Sequence, residues 1–404
     1  MLQTIVRLPT QEERGRLLRY ASWIRRIRGV VTRRFEGLFD VLQFSSPAET
    51  PFPSLRVLSC CVYPSSLLRS LPLFLSPRLT TFSVSVYPDA FLGPGTTGTD
   101  HLSAAVAALP TSLRELTLAV NRAGLGSDEL KKEVLNTIQQ CGRTLARLEV
   151  DVELPTLAIH HAMQLPNLCT WKIHQSSLPD TLTPFSETTT YLPSIRSLTL
   201  SATNTHDWVI FLASSFPAVN DIRSTLTELN IRHTLDQTLL TQICAFTSLR
   251  RLDVGSSCPE EGCVFSLDDG DISNLSLALP HLESLMLGQQ CDKNMCRTTF
   301  RSLLFLSARC PNLLFASVHF NTLQIAQDVK SIFETEDSGL KELRDSPTRC
   351  QIGTFSVHQT PLSLKGPDEL DVVKKGFLNV FPQLKEITGR YRRSWKTLTS
   401  IEPV

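Results

Sequence analysis

The stretch Leu279-Pro280-His281-Leu282-Glu283-Ser284-Leu285-Met286-Leu287-Gly288 decides how this chain folds. A short lead-in ends in a proline, and leucines then stand at the first, fourth and sixth places of the phrase L-x-x-L-x-L. In an extended segment, successive side chains point to opposite faces. Leu285 and Leu287 therefore share one face, and Ser284, Met286 and Gly288 share the other. Pro280 lacks an N–H and restricts its neighbour, so a helix that reaches it stops there.

The phrase recurs almost from end to end. Leu192-Pro193-Ser194-Ile195-Arg196-Ser197-Leu198-Thr199-Leu200 is one copy, and Leu109-Pro110-Thr111-Ser112-Leu113-Arg114-Glu115-Leu116-Thr117-Leu118 is another. Aligned on the first apolar place, the copies begin at Leu55, Leu79, Leu113, Leu145, Leu168, Ile195, Leu226, Leu249, Leu282, Leu313, Ile352 and Leu384. That makes twelve copies, spaced 23 to 39 residues apart. Such self-similarity marks an array in which each repeat buries its apolar face only against its neighbours.

Between the copies the period changes. Residues 127–141 place Leu130, Val134, Ile138 and Cys141 on one helical stripe, with Asp128 and Glu129 in the first turn and Gly142 after the end. Similar helices are expected near 206–216, 235–246, 294–309, 322–334 and 367–380. The fold class that follows is α/β: a leucine-rich repeat solenoid (horseshoe) of about twelve irregular repeats, with a parallel concave sheet and outer helices. Residues 1–44 read as an N-terminal basic capping helix segment. There Leu17, Tyr20, Ile24 and Ile27 keep helical spacing among many arginines. Residues 45–404 form the repeat domain. The stretches Pro88 to Thr99, Leu178 to Thr190 and 334–351 read as loops, and 256–271 as an acidic insertion carrying Glu260, Glu261, Asp268, Asp269 and Asp271.

Composition narrows the function. The chain has 404 residues, 42% of them hydrophobic, and a net charge of +1. A nearly neutral chain has no global field to recruit nucleic acid or a membrane surface. No apolar run approaches the roughly 18 residues of a membrane span, and the first residues lack a secretory apolar core. The expected location is cytoplasmic or nuclear. Eleven cysteines in an odd, irregular pattern read as free thiols, several of them buried, such as Cys60, Cys244 and Cys310.

Chemistry-bearing motifs are missing. The sequence holds no G-x-x-x-x-G-K-[ST], G-x-G-x-x-G, H-E-x-x-H or G-x-S-x-G. Cys258 and Cys263, with Cys291 and Cys296, lack the tight spacing of a zinc site. His160-His161 reads as an exposed helical pair, and Asp268-Asp269-Gly270-Asp271 lacks the ligand spacing of a calcium loop. No catalytic residue, cofactor or metal is expected. A doubly wound enzyme would need continuously apolar central strands, whereas Arg114-Glu115-Leu116-Thr117-Leu118 alternates.

The outward columns of the sheet are the better place for function. They run from a charged set, Arg147, Glu149, Asp151, Glu228, Arg232, Arg251 and Asp253, to a more neutral one with Met286 and Phe315. A large exposed aromatic on an open sheet calls for a partner. The candidate protein-binding residues on the concave face are Met286, Phe315, His319, Arg232 and Glu228.

The phrases LPSIRSLTLS, LPHLESLMLG, CPNLLFASV and FPQLKEITG resemble the leucine-rich repeat part of fungal F-box proteins, and so does LLRYASWIRRIRGV near the start. The resemblance implies a non-enzymatic protein-interaction module. In that family the repeats hold a substrate protein, and an F-box docks a Skp-type adaptor of a ubiquitin ligase. An F-box opens on an L-P-x-E-[LI]-L-type phrase. Leu8-Pro9-Thr10-Gln11-Glu12 has the Leu-Pro but not the apolar pattern after it, so adaptor docking is expected only with an F-box upstream. The alternative is a free-standing repeat scaffold or inhibitor unrelated to ubiquitination.

Overall fold

In a computed structural model of the chain, the described residues are 10–31, 42, 50–62, 65–86, 97–120, 128–175, 192, 194–202, 205–214, 222–232, 236–255, 267–288, 297–334, 338–344, 350–357, 364 and 366–388. The chain divides into two compact units, Met1–Ile195 and Arg196–Val404.

Among the described residues the first unit holds six strands: β1 (Arg26–Val31), β2 (Val57–Val62), β3 (Thr81–Val86), β4 (Glu115–Val120), β5 (Arg147–Val150) and β6 (Thr170–Gln175). They lie side by side in chain order, every pair parallel. Among its described residues the second unit holds seven: β7 (Ser197–Ala202), β8 (Glu228–Ile231), β9 (Arg251–Val254), β10 (Ser284–Leu287), β11 (Phe315–Val318), β12 (Thr354–Ser356) and β13 (Glu386–Thr388). These too are parallel and in chain order. Parallel strands in strict chain order, each followed by a return segment, make each unit an α/β leucine-rich repeat solenoid. A doubly wound sheet would reverse its strand order at a switch point.

The repeat phrase accounts for this geometry atom by atom. All twelve first apolar positions, Leu55 through Leu384, are buried. Most sit at the end of a tight turn: the Leu55 N–H donates to the Phe52 carbonyl at 3.1 Å, Leu113 to Pro110 at 3.1 Å and Leu249 to Phe246 at 3.1 Å. The next residue starts the inter-strand ladder. In the first unit Thr80, Arg114 and Ala146 each donate to the equivalent carbonyl one repeat earlier, on Arg56, Thr80 and Arg114, at 2.7–2.8 Å. In the second unit Arg250, Glu283 and Leu314 do the same to Thr227, Arg250 and Glu283. Small polar side chains stitch the turns of the first unit. The Ser112 hydroxyl donates to the Leu79 carbonyl at 3.2 Å, Thr144 to Leu113 at 2.7 Å and Ser194 to Pro166 at 2.6 Å.

Beyond the turn the alternation is strict. Leu58, Phe82, Leu116, Leu148 and Trp171 in the first unit, and Leu198, Leu229, Leu252, Leu285, Ala316, Phe355 and Ile387 in the second, are all buried at the same register. Their neighbours Ser59, Thr117, Thr199 and Asn230 are only half-buried. The inward side chains pack on a layer of helices. The helix Asp128–Gln140 presents Leu130, Val134 and Ile138 to it, as its sequence stripe requires. Helices also cover Thr205–Ser214, Gln237–Ile243, Phe300–Arg309, Ile325–Glu334 and Pro367–Val380, close to the expected positions.

Several expectations need correction. The N-terminal helix spans only Gln11–Ala21; Ile24 and Ile27 lie beyond it, and Arg26–Val31 forms a thirteenth strand paired with β2. Thr97–Thr99 begin a helix that runs to Ala107, and Ser338–Arg344, inside a stretch read as loop, is helical. Asp268, Asp269 and Asp271 are no loop insertion. Asp268 caps the helix Asp269–Ala278 in a reciprocal box with Asp271. Asp269 accepts from the Thr299 N–H at 2.7 Å and the Thr299 hydroxyl at 2.6 Å, tying its helix to the start of the next. Cys258, Cys263, Cys291, Cys296, Glu260, Glu261 and the stretch 178–190 lie outside the described residues.

One glycine sets a close helix approach. A Cβ on Gly376 would lie 2.6 Å from Cγ1 of Val329, on the neighbouring helix Ile325–Glu334. Gly376→Ala gains about 1 kcal/mol of helix propensity but overpacks a stiff branched side chain, at a cost of about 1–3 kcal/mol. The expected result is a net loss near 1 kcal/mol in urea unfolding, smaller when Val329→Ala makes room. An alanine variant more stable than the natural chain would contradict this contact.

Candidate protein-interaction surface

The outward columns of each unit carry the side chains that meet solvent. In the first unit, Arg147 Nε lies 2.7 Å from Glu149 Oε1 along β5, and Lys172 on β6 pairs with Asp151. Four charges are thus joined into two pairs on a half-exposed face. Such pairs contribute little stability, but they fix a pattern of sign that a partner can read.

In the second unit the register Glu228↔Arg251 and Asn230↔Asp253 sets two polar contacts across β8 and β9. Arg251 Nη1 lies 3.2 Å from Glu228 Oε1. The Asn230 amide donates to Asp253 Oδ2 at 3.0 Å. Burial pushes the Asp253 carboxyl above its ordinary value, against the opposing pull of Arg232 and the Asn230 amide. Arg232, just past β8, is exposed. Glu228 and Arg232 therefore border a polar patch.

Next to it the surface turns apolar. Met286 on β10 and Phe315 on β11 are both half-buried. They are diagonal neighbours, because Ser284 is the residue opposite Phe315 and Ser317 is opposite Met286. Gly288 closes β10 with φ at 74°, a left-handed conformation that favours glycine. His319 requires correction. It is 5% exposed, with its carbonyl accepting from the Thr298 hydroxyl at 2.5 Å. Ser317 is fully buried, and its hydroxyl lies 3.4 Å from the Ser356 carbonyl. Both faces of β11 beyond Phe315 are covered, so His319 is a structural side chain and not an exposed rim contact.

A second feature escaped the sequence reading. At the edge where β9 to β12 start, Arg250, His281, Glu283, Asn312, Leu314 and Gln351 line a shallow recess of about 270 Å³. Arg250 Nη1 holds Glu283 Oε1 at 2.9 Å there, and Leu314 is 52% exposed. The signal was present: these residues occupy the places just before and after each first apolar position.

Among the described residues no three His, Cys, Asp or Glu side chains are grouped so as to hold a metal ion. His161 Nε2 meets the Gln139 amide at 3.0 Å. No helix among the described residues is long and apolar enough to cross a membrane. Cys60 and Cys310 are buried free thiols, and Cys244 is half-buried. Burial pushes Cys60 and Cys310 up from 9.0 to about 12, and Cys244 to about 11. Thiolate is the reactive form, so Cys60 and Cys310 should resist iodoacetamide at pH 8 until the chain is unfolded. The sign of the stability effect follows. Below about pH 9 these thiols are protonated in both states; above it the unfolded chain loses protons that the folded chain keeps. Stability should therefore fall as pH rises from about 9 to about 12, and less steeply in Cys60→Ala plus Cys310→Ala. An unchanged slope would contradict the burial argument.

No protein-family model matches the sequence, and no curated protein matches it. Among solved structures, the chain is similar to one in the complex of Rad7 and Elc1 from yeast, at 14% identity and a TM-score of 0.41, over 93% of this chain and 81% of that one. It is also similar to the leucine-rich repeat-containing protein LegL7 from Legionella pneumophila, at 12% identity and a TM-score of 0.31, over 96% and 95% of the two chains.

Proposed function

We propose that this chain is a non-enzymatic protein-interaction scaffold that serves as the substrate-recognition part of an F-box-type ubiquitin ligase adaptor. The observation that carries the scaffold reading is the outward face of the second unit. There the half-exposed apolar pair Met286 and Phe315 adjoins the ordered charges Glu228, Arg251 and Asp253. An apolar anchor beside a polar rim is how protein interfaces distribute their energy. The bound partner is a protein seated on this face, across β8 to β11.

The ubiquitin part rests on the repeat phrases and on their resemblance to F-box proteins. Leu8-Pro9-Thr10-Gln11-Glu12 lacks the apolar pattern that opens an F-box. The purified chain should therefore fail to retain a Skp-type adaptor on co-purification; a stable complex would show a docking unit of another form. The substrate reading is tested in cells. A protein captured on the natural chain but not on Phe315→Ala plus Met286→Ala should accumulate when the chain is depleted. If its level stays constant while the interaction persists, the chain is a free-standing scaffold or inhibitor instead.

A further inference from the structure

The edge of the first unit where β2 to β5 begin carries a line of arginines. Arg56 and Arg114 stand directly after the first apolar positions Leu55 and Leu113, Arg78 directly before Leu79, and Arg143 two places before Leu145. All four are exposed. The turns that hold them, 50–57, 72–81, 109–115 and 140–147, consist of described residues throughout. Among the described residues no carboxylate lies within ion-pairing distance of any of the four. The nearest one along the chain, Glu115, is half-buried on the outward face of β4, in register with Arg147.

Three other arginines at strand starts are each held by a carboxylate: Arg147 by Glu149, Arg250 by Glu283 and Arg251 by Glu228. The bare four repel one another, and an anion laid along them would relieve that repulsion. Their backbones are also fixed in place. The Arg114 N–H donates to the Thr80 carbonyl at 2.8 Å, and the Arg56 carbonyl accepts from the Thr80 N–H at 2.8 Å. The Arg78 N–H donates to the Ser76 hydroxyl at 3.1 Å, and the Arg143 carbonyl accepts from the Asn167 amide at 2.7 Å. Only side-chain freedom is left to lose when a ligand arrives.

The chemistry of the edge selects among anions. Every cation on it is a guanidinium, whose planar fork matches a carboxylate or a phosphate with two hydrogen bonds. A nucleic-acid strand would also want aromatic faces for its bases. The large apolar side chains exposed among the described residues of the first unit are Tyr20, Trp23, Ile24, Val30 and Leu157, and none belongs to these four turns. The net charge of +1 gives no long-range field to gather a polyanion. A short run of carboxylates fits better. Neighbouring strands lie about 4.8 Å apart, so β2 to β5 span about 14 Å, the length of four to five extended residues.

We propose that this edge docks an extended acidic segment of a partner protein, laid across the strand starts with its carboxylates on Arg56, Arg78, Arg114 and Arg143. Alternate residues of such a segment share one side and stand about 6.6 Å apart, a gap that the long arginine side chains bridge. Single exposed ion pairs contribute little, so recognition comes from the line of four acting together. The site is separate from the face on β8 to β11 and stands whether or not that face binds a substrate.

The test uses the full chain and four probes labelled with fluorescein: 12-residue peptides in which serine alternates with glutamate, glutamine or lysine, and a 12-nucleotide strand of thymidines. Fluorescence anisotropy should show the glutamate peptide binding at least tenfold more tightly than the other three probes, and more weakly as salt rises. Arg78→Gln plus Arg114→Gln plus Arg143→Gln should weaken it at least tenfold. Lys132→Gln plus Lys330→Gln plus Lys341→Gln removes the same charge from exposed places elsewhere and should leave it unchanged. Arg114→Glu plus Arg143→Glu should turn the preference toward the lysine peptide, a gain that an unfolded chain would not show. No binding of the glutamate peptide, equal binding of the glutamine peptide, or equal loss in the arginine and lysine variants would overturn the proposal. So would a thymidine strand bound as tightly as the glutamate peptide, because the edge would then be a nucleic-acid contact.

Discussion

Leu285→Ala should lower the unfolding free energy by roughly 2–5 kcal/mol, and Leu198→Ala by a similar amount. Both side chains stand at the centre of a strand with 1% exposure or less, on the face that meets the helices. Removing three carbons from either leaves a cavity that neighbours on two adjacent strands cannot collapse into, because the ladder fixes their spacing. Thr199→Ala changes a half-exposed side chain one residue away, on the other face, and should cost under about 0.5 kcal/mol. Urea unfolding followed by circular dichroism decides between them. Equal losses at Leu198 and Thr199 would mean that the inward and outward faces of the strand are exchanged.

Phe377→Ala should be the most damaging single change in the second unit, at roughly 3–5 kcal/mol. Phe377 is 1% exposed on the helix Pro367–Val380. Its ring centroid lies 5.1 Å from Phe300 edge to face, 5.9 Å from Phe355 and 6.3 Å from Phe381. One ring thus joins two helices, the inner side of β12 and the turn that follows. Aromatic pairs of this geometry add about 0.5–1.5 kcal/mol beyond their buried area. The comparison is Leu277→Ala, another apolar side chain on a helix but 61% exposed, which should be nearly silent. A small effect at Phe377 would mean that this helix does not close the core as described.

The inward half of the fold was legible because it is set by local pattern. Every first apolar position read from the sequence is buried, and the alternation after it holds in strand after strand, since a period of two admits only two registers. The parts that escaped lack that signal. In β1, Arg26, Arg28 and Gly29 interrupt the apolar alternation, so six residues of strand look like the tail of a basic helix. The helix Thr97–Ala107 opens on Thr97-Gly98-Thr99, residues that usually mark a loop. The capping pair Thr10 and Glu13 and the pair Asp268 and Asp271 were readable in principle as polar residues three apart before an apolar stripe. The candidate surface was legible only in part. Met286, Phe315, Glu228 and Arg232 lie where alternation puts them. His319 alternates in the same way yet is buried, because what covers the outer side of β11 is not local in sequence. The diagonal offset of Met286 and Phe315 likewise depends on the register between strands, which a single repeat does not encode.

The scaffold reading stands or falls on the outward face of the second unit. The direct measurement is partner capture from lysate, read by mass spectrometry, comparing the natural chain with Phe315→Ala plus Met286→Ala and with Arg147→Glu. All three should fold alike, since each substituted side chain is at least partly exposed. The Met286 and Phe315 variant is predicted to lose the bound set while Arg147→Glu keeps it. An unchanged set with the double variant, together with its loss in Arg147→Glu, would contradict the account and move the interaction to the charged strands of the first unit.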